Sequence, residues 1–273
     1  MDSLDWRFAH IPANDDGEAW ELYHENSKTS RYDAPLTNEE VRRRMLESWP
    51  SLPYAGYPRM ELPAAPPLPN SLSETILARH TARALAPAPI SLECLAGLLR
   101  YSYGQTRDLT AQGYPRPFRV VPSGGALFPL ELYFHTSRVA GLKPGWYHYA
   151  PAENALHLLQ PGDDSRRLAD ALVQQNLALD ASVVFVISAL FNRSTFKYRE
   201  RGYRFCLIEA GHVAQNLCLV AQASGLGAVP IGGFHDRQVD AMLSFDGVLH
   251  STLYMAAVGA EPADGNPAAA PTP

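Results

Sequence analysis

One stretch constrains this chain more than any other. It runs from Ala210-Gly211-His212-Val213-Ala214-Gln215-Asn216-Leu217, through Gly225-Leu226-Gly227-Ala228-Val229-Pro230, to Ile231-Gly232-Gly233-Phe234. It reads as a buried helix, a tight turn, a short apolar strand and a pair of glycines. Paired glycines after a strand allow the backbone to come close to a flat ligand. The 46% hydrophobic content over 273 residues is ordinary for a globular protein and supports a real core.

The net charge of −5 gives no electrostatic reason to expect nucleic acid or an anionic membrane as a partner. No run approaches the roughly 18 to 20 apolar residues that span a bilayer, and Met1 to Trp6 lacks the basic start and apolar run of a signal peptide. Cys94, Cys206 and Cys218 all fall in apolar helical patterns and read as buried thiols rather than a disulfide framework. The expected setting is the cytoplasm. No spacing of Cys and His indicates a metal site.

Three parts follow from the pattern along the chain. Residues 1–70 form a helical extension and a proline-rich arm. Asp15 to Ser27 has helical spacing, Thr37 and Glu40 form a capping box for a helix running to about Trp49, and Pro53 to Pro69 is extended, as a linker or as an arm on another surface. Residues 71–260 alternate helices and strands. Helices are expected at Ser71 to Ala78, Ser91 to Tyr103, Asp164 to Leu177, Tyr203 to Ser224 and Asp236 to Leu243. Strands are expected at Leu130 to Thr136, at Trp146 to Tyr149 with Ala155 to Leu159 as a hairpin, and at Ser182 to Ala189, Ala228 to Ile231 and His250 to Val258. Residues 261–273 have the composition of a disordered tail.

Three segments carry ligand chemistry. In Arg79-His80-Thr81-Ala82-Arg83, alternate positions share a side, so two guanidiniums and a hydroxyl can hold a phosphate or an anionic ring edge. In Pro122-Ser123-Gly124-Gly125, small residues leave room for a planar ring. In Pro230-Ile231-Gly232-Gly233, a backbone amide can stabilise developing charge. Read singly, each is equally an ordinary surface or turn feature. In this order they point to flavin mononucleotide (FMN).

From about Ser71 to Ala260 the chain resembles the FMN-dependent nitroreductase superfamily, and within it the SagB-type dehydrogenases, which oxidise thiazolines and oxazolines to azoles. The resemblance is carried by Arg-His-Thr-Ala-Arg, Pro-Ser-Gly-Gly-Ala-Leu-Phe-Pro, Gly145-Trp146-Tyr147-His148-Tyr149, Lys197-Tyr198-Arg199-Glu200-Arg201-Gly202-Tyr203-Arg204-Phe205, and upstream Tyr23-His24-Glu25-Asn26-Ser27-Lys28. Gly124 stands where the branch has alanine, and Thr81 where the superfamily has serine.

The resemblance implies an α+β fold, with a central mostly antiparallel sheet flanked by helices, in an intertwined homodimer. It implies that Arg79, Thr81 and His80 lie at the FMN phosphate and ribityl chain, Arg83 at the ring edge and Gln215 near the ribityl group. Pro122, Ser123, Gly124 and Gly125 would line one side of the ring, from the partner subunit, and Pro230, Ile231, Gly232 and Gly233 the other. Lys197 and Tyr198, expected on a loop above the flavin, would take the proton as the ring is oxidised, with dioxygen restoring the flavin. The substrate would be borne by a peptide or a carrier protein, in a biosynthetic synthetase complex. The alternatives are an NAD(P)H-dependent nitro- or quinone reductase and a non-catalytic flavin-binding docking subunit.

Overall fold

Among the described residues, seven antiparallel strands form one sheet, ordered β1-β4-β3-β2-β5-β7-β6. They are β1 (Arg59–Glu61), β2 (Leu130–Thr136), β3 (Gly145–Ala150), β4 (Ala155–Pro161), β5 (Val183–Leu190), β6 (Gly227–Ile231) and β7 (His250–Gly259). The helices of the described residues are α1 (Ala19–Asn26), α2 (Asn38–Glu47), α3 (Leu72–Ala78), α4 (Leu92–Tyr103), α5 (Ser165–Asp170), α6 (Asn176–Asp180), α7 (Asn192–Tyr198), α8 (Glu200–Ala223) and α9 (Asp236–Met242). The structure is a computed structural model and describes residues 19–31 and 34–262. The expected helix start at Asp15, the reading of Met1 to Trp6 and the tail beyond Pro262 lie outside the described residues.

Alternation along the strands builds two cores. Leu132, Phe134, Phe185 and Ile187 point to one face and pack with Leu95, Leu98 and Leu99 of α4 and with Val213 and Leu217 of α8. Tyr133, Val184, Val186 and Met255 point to the other and meet Leu168 of α5, Leu177 of α6 and Val239 of α9. The sheet is therefore the middle of three layers. Each large side chain buried this way contributes roughly 1.5–3 kcal/mol. β5, paired with β2 and β7, is buried along all but its last residue, as its continuous apolar run requires.

The caps explain where several helices begin. Ser71 starts α3 with a complete capping box, its hydroxyl accepting from the Glu74 N–H while the Glu74 carboxylate accepts from the Ser71 N–H. Ser91 caps α4 by accepting from the Cys94 N–H. Thr37 caps α2 in the same way, but the box there is half made, because Glu40 turns instead to Arg43 and Arg44.

Several expectations differ from the structure. The single helix expected over Asp164 to Leu177 is two short helices, α5 and α6. Between them the chain is drawn into bonds with the segment after β6: the Val173 N–H donates to the Gly233 carbonyl and the His235 N–H to the Ala171 carbonyl. The proline-rich arm lies on its own chain: β1 pairs with β4, and the Tyr101 hydroxyl donates to the Pro66 carbonyl. Its approach is anchored by buried Glu131, which accepts from the Ser51 hydroxyl and the Leu52 N–H. Cys206 and Cys218 are buried, but Cys94, in the first turn of α4, is only half-buried. Lys197 and Tyr198 sit on the last turn of α7 rather than on a loop; no glycine or proline interrupts residues 192–198.

Candidate active site

Two groups of residues assemble, at different stations along α8. The first surrounds Gly125. The turn after Pro122 passes through positive φ at Gly125 (64°), Ala126 (54°) and Phe128 (47°). The Ser123 hydroxyl accepts from the Phe128 N–H and lies close to the Glu209 carboxyl, so it is turned inward. A Cβ on Gly125 would stand 2.5 Å from Tyr198 Oη and 2.9 Å from Lys197 Nζ. The turn and the Lys-Tyr pair, far apart in sequence, thus form one surface.

The corner between α7 and α8 aims that pair. Arg199 takes φ 49°, ψ −133°, ending α7 and starting α8. Three residues on, Gly202 lies so near α7 that a Cβ there would come within 2.7 Å of Ser194 and Thr195 backbone atoms. Only glycine allows the helices to meet this tightly. Tyr198 is then wedged edge-on against Phe205, with ring centroids 4.9 Å apart, and the Lys197 amine lies over the Tyr198 ring at 4.9 Å. Phe205 also fills the space that a side chain at Gly124 would need.

Beneath this surface lies a residue that none of the sequence motifs marks. Glu209 of α8 is 2% exposed. Its Oε1 accepts from the Tyr103 hydroxyl at 3.1 Å. Burial pushes its carboxyl up to about 7, against the smaller pull of Ser123, Arg119 and Tyr103. Arg119 lies 4.2 Å above the Tyr103 ring. Arg116 donates to the Leu127 and Met45 carbonyls and to the Ser48 hydroxyl, tying the turn to the end of α2. A signal for Glu209 was present: it falls three residues after Cys206 and four before Val213, on the buried stripe of the helix, where a carboxylate needs partners.

The second group lines the edge strand β6. The Ala82 N–H donates to the Ala228 carbonyl, which lays Arg79 to Arg83 alongside β6. Ala82 is buried, while His80, Thr81 and Arg83 around it are exposed. Arg79 is half-buried, with its charge reaching the Cys218 thiol on α8. Among the described residues, no salt bridge joins Arg79 or Arg83 to a carboxylate. His80 is turned to Glu261, at 3.0 Å, which raises its pKa. Gly232 and Gly233 leave the end of β6 exposed, with Pro230 half-buried and Ile231 in the core. A Cβ on Gly232 would meet only Tyr254, at 4.0 Å, whereas one on Gly233 would press on Val173 at 3.2 Å. Gln215 is exposed on α8.

The nitroreductase family model matches residues 76–260, more than half of the chain. The chain belongs to the nitroreductase family. Family membership makes it an oxidoreductase, and its relatives align it with the SagB-type branch. It is 27% identical over 274 residues to the trifolitoxin-processing protein TfxB of Rhizobium leguminosarum bv. trifolii, covering 93% of this chain and 72% of TfxB. It is 33% identical over 145 residues to the microcin B17-processing protein McbC of Escherichia coli, covering 47% of this chain and 49% of McbC. In fold it is similar to a chain of the Escherichia coli microcin synthetase McbBCD complex with truncated pro-MccB17 bound. The TM-score there is 0.58 at 22% identity, over 89% of this chain and 92% of that one.

The residues at hand fit the flavin that the family implies. Arg79 and Arg83 offer cations without carboxylate partners among the described residues, and the open Gly232 leaves a planar ring free to approach the backbone. Among the described residues no cluster of three metal-ligand side chains occurs, and no helix is long and apolar enough to cross a membrane.

Proposed function

We propose that this chain is an FMN-dependent azoline oxidase, converting a thiazoline or oxazoline of a peptide- or carrier-bound biosynthetic intermediate to the azole. The observation that carries the reading is the pairing of Lys197 and Tyr198 against Gly125. The names of the two curated relatives, a trifolitoxin-processing and a microcin B17-processing protein, support a peptide-modifying role, and the McbBCD likeness in fold is compatible with a synthetase complex.

When bound, FMN would supply the two-electron acceptor, with dioxygen as terminal oxidant. Arg79 and Thr81 would hold its phosphate and ribityl chain, and Arg83 the ring edge. Lys197 or Tyr198 would take the proton that leaves the azoline carbon, because the ring becomes aromatic only if that proton has an acceptor. The inward Ser123 hydroxyl and Glu209 would keep the turn in register with the pair.

The two groups are separated along α8. Glu209 underlies the first and Cys218 the second, nine residues and about 14 Å of helix rise apart. A homodimer would let the Gly125 group of one copy face the β6 group of the other. Support comes from the outward face of α8, where Leu207 and Ile208 are 40% and 49% exposed and a Cβ on Gly211 would meet no described atom within 4 Å.

The test is a thiazoline probe incubated with flavin-loaded protein in air without nicotinamide. Azole formation, read as loss of two hydrogens by mass spectrometry, is the expected result. Protein that stays colourless after FMN addition, or flavin that is bleached by NAD(P)H while no azole forms, overturns the reading.

A further inference from the structure

The turn around Gly125 and the helix that carries Lys197 and Tyr198 leave the sheet at one point. β2 and β5 pair antiparallel, with Leu130 opposite Ala189 and Glu131 opposite Ser188. The Leu190 N–H donates to the Pro129 carbonyl at 3.0 Å and closes that end of the ladder. Beyond it neither segment is in a strand. One is the turn, residues 122–129, and the other is α7. The helix has little to hold it by itself. It has seven residues and no side-chain cap, and a helix of that length is marginal without tertiary contacts. Phe196 and Tyr198 pack against Val41 and Met45 of α2 and Leu127 of the turn. Apolar contact of this kind is non-directional, so it does not by itself set which way the helix faces.

A directional tie lies one turn before Lys197. Arg193, in the first turn of α7, is 6% exposed, and its Nη1 donates to Glu131 Oε1 at 2.6 Å. Arg193 and Lys197 are four residues apart and share a side of the helix. Glu131 follows Gly125 by six residues. The Arg193–Glu131 pair and the approach of Lys197 to Gly125 are thus successive cross-links between the same two segments. Glu131 is itself held on both oxygens. It is 1% exposed, and it accepts from the Leu52 N–H on Oε1 at 2.8 Å and from the Ser51 hydroxyl and His148 Nε2 on Oε2 at 2.8 and 2.7 Å. Against the cost of burial, Arg193 and then His148 keep its carboxyl well below the usual carboxylate range. Glu131 therefore presents a charge in a set place to Arg193.

We infer that Glu131 is a positioning residue: through Arg193 it sets the rotation of α7 that brings Lys197 and Tyr198 against Gly125. The consequence for turnover rests on the proposed oxidase reading, and the consequence for structure rests on the cross-link alone. The remaining bonds of Glu131 have a different task. Ser51 and Leu52 fasten the N-terminal arm to the carboxylate, and His148 fixes the carboxylate to β3. The bond to Arg193 is the one that reaches α7. A buried, charge-assisted hydrogen bond is directional where the packing of Phe196 is not.

Arg193→Met alone would leave the Glu131 carboxylate buried without its cation, which can unfold the protein. The test therefore uses the double variant Glu131→Gln with Arg193→Met, which removes both charges, in the full-length protein supplied with FMN. Two readouts are taken. Amide hydrogen exchange should quicken at least tenfold at residues 195–198 and 125–128, with β5 and β7 unchanged. With a short peptide carrying one internal thiazoline as the probe, kcat should fall at least tenfold while KM changes less than threefold. Arg193→Lys, which keeps the charge and can reach one carboxylate oxygen, should retain at least a third of the wild-type kcat. Ser51→Ala, which loosens the arm alone, should leave both readouts near wild type. Exchange in α7 that stays at the wild-type rate in the double variant overturns the inference. So does an Arg193→Lys protein as slow as the double variant, or a Ser51→Ala protein as impaired. Exchange that quickens through β5 and β7 as well makes Glu131 a support of the whole fold and also overturns it. If the wild type oxidises no thiazoline, yet exchange quickens only in α7 and the turn, the positioning stands and the oxidase reading falls.

Discussion

Around Gly125 the chain bends through positive φ at Gly125, Ala126, Phe128 and, across the corner, Arg199, whereas the groove along β6 has no residue with positive φ between Gly227 and Gly233. The first region holds Lys197 and Tyr198 by packing and strain, with Tyr198 against Phe205 and the turn tied down by Arg116. The second presents cations on an ordinary sheet edge. A pair of groups that must act on one proton needs angular precision, and each strained residue costs of order 1–3 kcal/mol. A phosphate needs charge and access, which an exposed edge offers without strain. The two halves of the site are therefore expected to respond to mutation in different ways.

The largest effect should come from beneath the strained half. Glu209 has its carboxyl raised from 4.5 to about 7 by burial. The folded state therefore holds this proton more tightly than the unfolded chain does. The stability that this contributes is complete below pH 4.5 and is lost as pH rises through 7, about 3 kcal/mol in all. Denaturant midpoints across that window should fall for the wild type and fall much less for Glu209→Gln. Parallel slopes for the two proteins would mean that Glu209 is not the group responsible.

Next is Gly125→Ala. The new methyl would collide with Tyr198 Oη and Lys197 Nζ and strain the turn. Turnover should drop about 100-fold, or about 2.7 kcal/mol of barrier. A variant that keeps full turnover would break the contrast at its centre. On the open half, Arg79→Ala combined with Arg83→Ala should weaken FMN binding about tenfold, through loss of charge-assisted hydrogen bonds, with the melting temperature of the apoprotein nearly constant; flavin fluorescence titration reads this. The smallest effect is expected from Gly232→Ala. Its methyl meets only Tyr254 at 4.0 Å, so stability should change by less than about 1 kcal/mol, and any loss should appear in flavin affinity alone.

The same contrast decides what the sequence revealed. The sheet was legible because alternation and apolar runs are local: β2 occupies the expected Leu130–Thr136, and the hairpin of β3 and β4 turns at residues 151–154 as expected. The strained half was not. Whether Lys197 ends a helix or rides on a loop depends on Gly202 admitting the backbone of Ser194 and Thr195, a contact between segments. The break between α5 and α6 likewise depends on bonds to Ala171 and Val173 from the segment after β6. Glu209 could be seen in the sequence, but its partners Tyr103 and Ser123 come from elsewhere in the chain, and only packing brings them together.

The three-residue strand β1 occupies the outer rim of β4, with Pro58 accepting from the Leu158 N–H and the Leu62 N–H reaching the Asn154 carbonyl. Prolines at positions 58 and 63 stop it from growing. It works as a selvedge, finishing the fabric so that no other chain can be stitched on. Trimming the protein at residue 71, where the alternating helices and strands begin, would strip that border from β4 and leave a sticky, fraying margin prone to clumping.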